Sequence, residues 1–266
     1  MSMSISGKTA IVTGGANGIG LAVGRHFADQ GANVMFADRD EVHLKKELGP
    51  DLDDGNIRTF AGDLRERLTL ANLLSATLDA FDEVDILVNA ARQVIPSDPL
   101  NADDDAVTAL LNQNLISALR LSQLVAKRMI KQAEGREEGM AGSIVNLSSI
   151  AAHRTHPDLL AYSVSSAALD QMTRSLAVAL APHRIRVNAV AIGSVMSASL
   201  KDALRDDAAW RLDIESHTPL GRIASASELS GAVQYLASDA SSFMTGQILT
   251  IDGGRSLLDS VTVPAH

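Results

Sequence analysis

The segment Thr13-Gly14-Gly15-Ala16-Asn17-Gly18-Ile19-Gly20 stands between a β-branched run and a helical pattern. Residues without side chains let a backbone turn tightly and approach a pyrophosphate. The helix that follows offers free N–H groups and the positive end of its dipole. A glycine turn can be merely structural, but three glycines between a strand and a helix favour phosphate. Asp38 comes 18 residues after Gly20, at the end of the second β-branched run. A carboxylate there accepts hydrogen bonds from the adenosine ribose hydroxyls and repels a 2′-phosphate. Arg39 beside it could pair with such a phosphate, yet the glycine loop holds no basic residue, so the balance favours NAD over NADP.

The elements that must position these residues alternate along the chain. Strands are expected at 9–13, 33–37, 57–60, 85–89, 143–147, 185–190 and 247–251. Helices are expected at 18–30, 41–48, 65–81, 103–131, 157–181 and 227–237. Gly31 suits a helix C-terminal cap, Asp103 to Asp105 suit a positive helix start, and Pro182 stops the helix before it. Residues 194–217 read as a mobile excursion with a short helix, set in one domain that spans 1–266. Strands apolar on both faces, alternating with helices, require a parallel sheet covered on both sides. Such a sheet binds ligands beyond the carboxyl ends of its strands, where the strand order reverses.

Composition narrows the function. The 266 residues contain no cysteine, which excludes disulfides, thiolate metal sites and cysteine catalysis. Lys and Arg number 23 against 32 Asp and Glu, a net charge of −9, which argues against nucleic-acid binding. No segment reads as a signal peptide or a membrane span, so a soluble cytoplasmic protein is expected, with no metal.

Over residues 5–256 the sequence resembles the classical short-chain dehydrogenase/reductase family. The residues that carry the resemblance are the TGGANGIG loop, Asp63-Leu64, Asn89-Ala90-Ala91, Asn114, Ser149, Tyr162, Gly193 and Ile251-Asp252-Gly253-Gly254. The resemblance implies a Rossmann-type, doubly wound α/β fold: a seven-stranded parallel sheet in a three-layer sandwich. It implies that Asp63, with Leu64, contacts adenine. Asn89, Ala90 and Ala91 would line the crevice, and Gly193, Val195 and Ser197 would sit at the carboxamide. Gly14, Asn17, Gly18, Ile19 and Gly20 would hold the pyrophosphate. It also implies a catalytic set: Tyr162 moves the proton, Ser149 holds the substrate oxygen and Asn114 orders a water chain behind them.

Three departures stand out. The family's lysine, four residues after the tyrosine and on the same helix face, is Ser166. Serine can keep a ribose hydrogen bond but supplies no charge to lower the tyrosine pKa. The family's NNAG reads Asn89-Ala90-Ala91-Arg92, and its PG reads Ile192-Gly193. Arg92 has two open placements: toward the nicotinamide ribose and Tyr162, or outward to solvent and an acid such as Asp98.

Two functions compete on these residues. One is an NAD(H)-dependent oxidoreductase, weakened in catalysis, that interconverts a secondary alcohol and a ketone. The other is a non-catalytic NAD-binding protein acting as partner subunit or sensor. A halohydrin-dehalogenase-like lyase is disfavoured, because that class loses the glycine loop and places arginine where Ser166 stands. Val94, Ile95, Leu159, Leu160, Met196, Leu200, Leu204 and Trp210 suggest an apolar substrate pocket. The resemblance implies a homotetramer, or a homodimer, built on the faces of 106–125 and 164–180.

Overall fold

The first strand, β1 (Thr9–Thr13), is buried along its whole length. Its alternate residues serve different cores: Ala10 and Val12 enter one, Ile11 the other. The same holds along the sheet, so helices must cover both faces. The structure is a computed structural model that describes residues 2–49, 55–136, 138–197, 200–201, 204–205 and 208–259.

After β1 come α1 (Gly18–Asp29), β2 (Asn33–Asp38), α2 (Glu41–Leu48), β3 (Ile57–Ala61), α3 (Arg67–Phe81) and β4 (Ile86–Asn89). The second half holds α4 (Ala106–Leu110), α5 (Ser117–Gln132), β5 (Gly142–Ser149), α6 (Leu160–Leu180) and β6 (Ile185–Ile192). It continues with β7 (Val195–Met196), α7 (Ala208–Ser216), β8 (Ala224–Ser225), α8 (Ser230–Ala237) and β9 (Ile248–Ile251). Seven strands form one parallel sheet in the order β3-β2-β1-β4-β5-β6-β9. This is the expected Rossmann-type fold. The order reverses between β1 and β4, which opens a crevice beyond their carboxyl ends.

One core joins Val12, Val34, Phe36 and Val88 to Val23 and Phe27 of α1, Leu44 of α2 and Val233 of α8. The other joins Ile11, Met35, Leu87 and Ile144 to Leu73 of α3, Leu121 and Val125 of α5 and Ala177 of α6. Each fully buried aliphatic side chain contributes roughly 1.5–3 kcal/mol, so these two layers hold the sheet rigid beneath its loops. A polar ladder crosses it as well. Asn89 Nδ2 donates to Ser122 Oγ (3.0 Å) and Asn146 Oδ1 (2.8 Å), and Asn146 Nδ2 donates to Thr173 Oγ1 (2.9 Å). The ladder ties β4 to β5 and α6 near their functional ends.

Several boundaries differ from expectation. The helix predicted at 103–131 begins at Ala106 and is interrupted by a π-helical turn, Leu111–Ile116. The acids before it close a turn instead: Asp104 accepts from Asp98 N (2.7 Å) and Ala106 N (2.8 Å). The helix predicted from Pro157 begins at Leu160, because Pro157–Leu159 form a 3-10 turn capped by His156. Within the predicted excursion, 194–217, β7 pairs with β8 and α7 ends the segment. Residues 198–199, 202–203 and 206–207 of it lie outside the described residues, as do residue 1 and 260–266. Among the described residues no helix is long and apolar enough to cross a membrane.

Candidate active site

The crevice between β1 and β4 is a groove of about 450 Å³. Its floor is the glycine loop. Gly14 and Gly18 have φ of 68° and 56°, a region L side chains rarely enter. A Cβ on Gly14 would stand 2.9 Å from the Ala90 carbonyl, so the first loop and the β4 loop touch through backbone alone. Thr13 fixes that approach: its Oγ1 accepts from the amides of Ala90 (3.0 Å) and Ala91 (3.0 Å). Asn17 has extended dihedrals ahead of α1 and its side chain does not cap the helix. The first N–H groups of this 12-residue helix therefore point toward the groove unclaimed by a side chain.

Asp38, the last residue of β2, sits on the groove wall. Its Oδ2 accepts from Ala16 N (3.1 Å) and its Oδ1 from Asp40 N (3.1 Å), which fixes the carboxylate in place. Asp63 lines the same groove, and the Arg65 guanidinium bound to Asp63 holds that carboxyl down at about 2. Asp63 is therefore an anion at working pH. Arg39, Leu64, Ile19, Gly20, Ala90, Ala91 and Ser197 also line the groove. Ser197 reaches over the loop from β7, its Cβ 3.8 Å from where a Gly18 Cβ would stand. A dinucleotide fits these residues: a side-chain-free floor for its phosphates, helix N–H donors and a fixed carboxylate at the ribose end.

At the inner end a second cavity, of about 10 Å³, is lined by Asn89, Arg92, Asn114, Ser148, Tyr162 and Ser166. That is room for about one water. Tyr162 is 5% exposed and packs with Leu110, Ala151 and Ala161. Asn114 is presented by the π-helical turn. Its Oδ1 accepts from Gln93 N (2.8 Å), and its Nδ2 donates to Gln93 O (2.9 Å) and Ser165 Oγ (3.3 Å). Ser149 ends β5, where its Oγ accepts from Ala151 N (3.2 Å). Arg92 takes the inward placement. Its Nη1 donates to Ser148 O (3.2 Å), and its guanidinium carbon lies 5.7 Å from the centre of the Tyr162 ring. It lines both the groove and the small cavity. Asp98 instead closes its own turn, accepting from Leu100 N (2.9 Å).

Gly193 and Val195 are the residues predicted at the carboxamide. A Gly193 Cβ would stand 2.7 Å from Asp252 Cβ, and Val195 is buried in the first core. Sequence reasoning read Thr13 only as part of the loop and left out Gln93 and Gln113. A threonine at a strand end beside a glycine loop was the available signal for Thr13.

The enoyl-(acyl carrier protein) reductase family model matches residues 14–256. A tropinone reductase homologue of Arabidopsis thaliana is 36% identical over 258 residues, 96% of this chain and 92% of its own length. The chain belongs to the short-chain dehydrogenase/reductase family. Another relative in this family is the 3-oxoacyl-[acyl-carrier-protein] reductase of Thermotoga maritima. It is 32% identical over 95% of this chain and 99% of its own. Among solved short-chain dehydrogenases, a gluconate 5-dehydrogenase from Burkholderia cenocepacia, in complex with NADP and tartrate, superposes with a TM-score of 0.86. It is 29% identical and covers 97% of this chain and 98% of its own. The family is one of oxidoreductases that bind a nicotinamide cofactor.

Proposed function

We propose that this protein is an NAD(H)-dependent oxidoreductase that interconverts a secondary alcohol and a ketone. The observation that carries the reading is the shared wall between the groove and the Tyr162 cavity, with Arg92 lining both. The proton-moving phenol thus lies next to the inner end of the cofactor groove.

Bound nicotinamide supplies the hydride chemistry. The chain's own residues handle binding and the proton. The loop Gly14–Gly20 and the start of α1 hold the pyrophosphate, Asp38 and Asp63 the adenosine end. The Ala90 and Ser197 segments close over the rest. Tyr162 Oη takes the alcohol's hydroxyl proton in oxidation and returns it in reduction, and Ser149 holds the substrate oxygen. Asn114, anchored to Gln93, orders water behind the phenol.

Met196, Leu200, Leu204 and Trp210 wall the substrate side, within one domain spanning the chain. A homotetramer or homodimer through α5 and α6, in the cytoplasm, completes the reading. Ser166 favours a second one, a non-catalytic NAD binder. That reading gives tight cofactor binding with no turnover in a broad alcohol and ketone screen.

Asp38 sets the cofactor choice. NAD(H) binds at least about tenfold tighter than NADP(H), because a 2′-phosphate would face a carboxylate held in place by two backbone amides. The NADP complex of the gluconate 5-dehydrogenase makes the 2′-phosphate the alternative to test. Calorimetric titration with all four nucleotides measures the preference, and equal or stronger NADP(H) binding rejects it. Asp38→Ala narrows the gap by weakening NAD(H) and admitting the phosphate.

A further inference from the structure

The position where the family carries its lysine holds Ser166, 5% exposed and facing a cavity of about 10 Å³. Nothing cationic comes from α6 there. A cation does arrive from the other side of the cavity. The loop after β4 sends Arg92 inward, where Ser148 O anchors one nitrogen and the Tyr162 ring lies under the guanidinium. We propose that Arg92 takes over the absent lysine's electrostatic part, its fixed charge stabilising the Tyr162 phenolate that accepts the substrate's proton. The inference rests on the oxidoreductase reading for its purpose, but not for its test.

A cation over an aromatic face within about 6 Å is attracted to the ring even when the phenol is neutral. When the phenol loses its proton, the attraction becomes one of opposite charges. A neighbouring opposite charge favours the charged form of a titrating group, and the guanidinium carbon stands 5.7 Å from the centre of the ring that shares the phenolate charge. Guanidinium keeps its proton at any working pH.

The elements packed on α6 bring no competing charge to the ring among the described residues. α4, the π-helical turn, β5 and the turn Ile150–Ala152 contain none. Asp158 and His153 are exposed. Arg186 of β6 is spent on Ser241 Oγ (2.7 Å) and Ser238 O (3.0 Å). His183 closes the far end of α6. On α6 itself, Asp170 lies eight residues on, about 12 Å along the axis. Burial raises its pKa, which further favours its neutral form. Arg174 lies one turn beyond it.

The geometry also predicts coupling between positions 92 and 166. A cavity for one water does not admit a lysine side chain while Arg92 lines it. Ser166→Lys in the parent therefore puts two like charges into one small space and gains little. Ser166→Lys in an Arg92→Gln background restores one cation and gains much. That non-additivity is what residues sharing one site show.

The test reads the phenol directly. The chain has two tyrosines, so subtracting a Tyr162→Phe reference isolates Tyr162 in a near-ultraviolet tyrosinate titration. It is run on the free protein and on the protein with NAD. In Arg92→Gln the step moves to higher pH. In Arg92→Lys it stays near the parent, and in Arg92→Gln/Ser166→Lys it returns toward it. Arg92→Met serves in place of Arg92→Gln if the latter fails to fold by circular dichroism. An unmoved step in a folded charge-free variant overturns the proposal. So does equal displacement in Arg92→Lys, which would assign the effect to packing. Where a substrate is turned over, the pH profile of kcat moves with the step. If the step moves but no substrate is ever turned over, the oxidoreductase reading fails and the assignment of Arg92 stands.

Discussion

Tyr162→Phe lowers turnover by about 10²–10⁴-fold, the span that general acid–base groups supply, while the protein still folds and still binds NADH. The three outcomes come from different parts of the side chain. The ring provides the packing, with Leu110, Ala151 and Ala161 around it, and phenylalanine keeps that contact. The ring also provides the face on which the Arg92 guanidinium rests, 5.7 Å from its centre, so the loop after β4 keeps its place. What the substitution removes is the hydroxyl. NADH binding then weakens by no more than one neutral hydrogen bond, about 0.5–1.5 kcal/mol. Steady-state kinetics on any substrate found by screening, beside calorimetry with NADH, separates the two. A Phe variant as fast as the parent would show that another group moves the proton and would remove Tyr162 from the reaction. A variant that loses NADH as well would show that the hydroxyl serves the cofactor first.

How much of this site could be read in the sequence depended on how local its causes are. Gly14, Gly18 and Asp38 act through features within a few residues of themselves: a tight turn, a helix start, a strand end. All three line the groove. Both cores were legible too, because β-branched runs apolar on two faces admit only a covered parallel sheet. Asn114 was legible as a residue but not in its setting. Leu110, Val125 and their neighbours keep a helical spacing through 103–131, and nothing in that spacing announces the π-helical turn Leu111–Ile116. The extra residue per turn is stabilised by a partner 21 positions away, the Gln93 backbone, which both donates to and accepts from the Asn114 amide. Single π-helical turns inside α-helices are frequent at functional sites.

Arg92 is the clearest limit. Of its two placements the local sequence favours the outward one, to solvent or an acid such as Asp98, and the structure shows the inward one. The choice is made by how closely β4, β5 and α6 pack. Their separation is set by the Asn89–Asn146–Thr173 ladder, whose members come from three distant parts of the chain. The two-residue pairing of β7 with β8 was unreadable on the same grounds, being too short to leave a period.

Gly20→Ala abolishes measurable NADH binding and destabilises the fold, whereas Gly24→Ala destabilises it and leaves NADH binding close to the parent's. Both substitutions add one methyl group to α1, four residues apart, and each new Cβ would stand 2.1 Å from a heavy atom. The atoms differ. At Gly20 they are the Gly14 carbonyl oxygen at 2.1 Å, the Gly14 carbonyl carbon at 2.7 Å and the Thr13 oxygen at 2.9 Å, all backbone of the phosphate loop itself. Backbone has no rotamer to change, so the loop must lift off the helix start, and the Gly14 contact with the Ala90 segment goes with it. The floor of the groove and the aim of the α1 N–H groups are lost together. At Gly24 the neighbour is the Phe36 ring, with Cε1 at 2.1 Å and Cζ at 2.6 Å. That ring lies in the first core and can shift as a side chain, so its displacement costs about 1–3 kcal/mol of overpacking and reaches the loop only through the Phe36 contact at Gly15. Thermal unfolding measures the shared loss and NADH calorimetry the difference. Equal NADH affinities in the two variants, both folded, would mean that the loop tolerates the shift and that the close helix–loop approach at Gly20 is not what shapes the phosphate site.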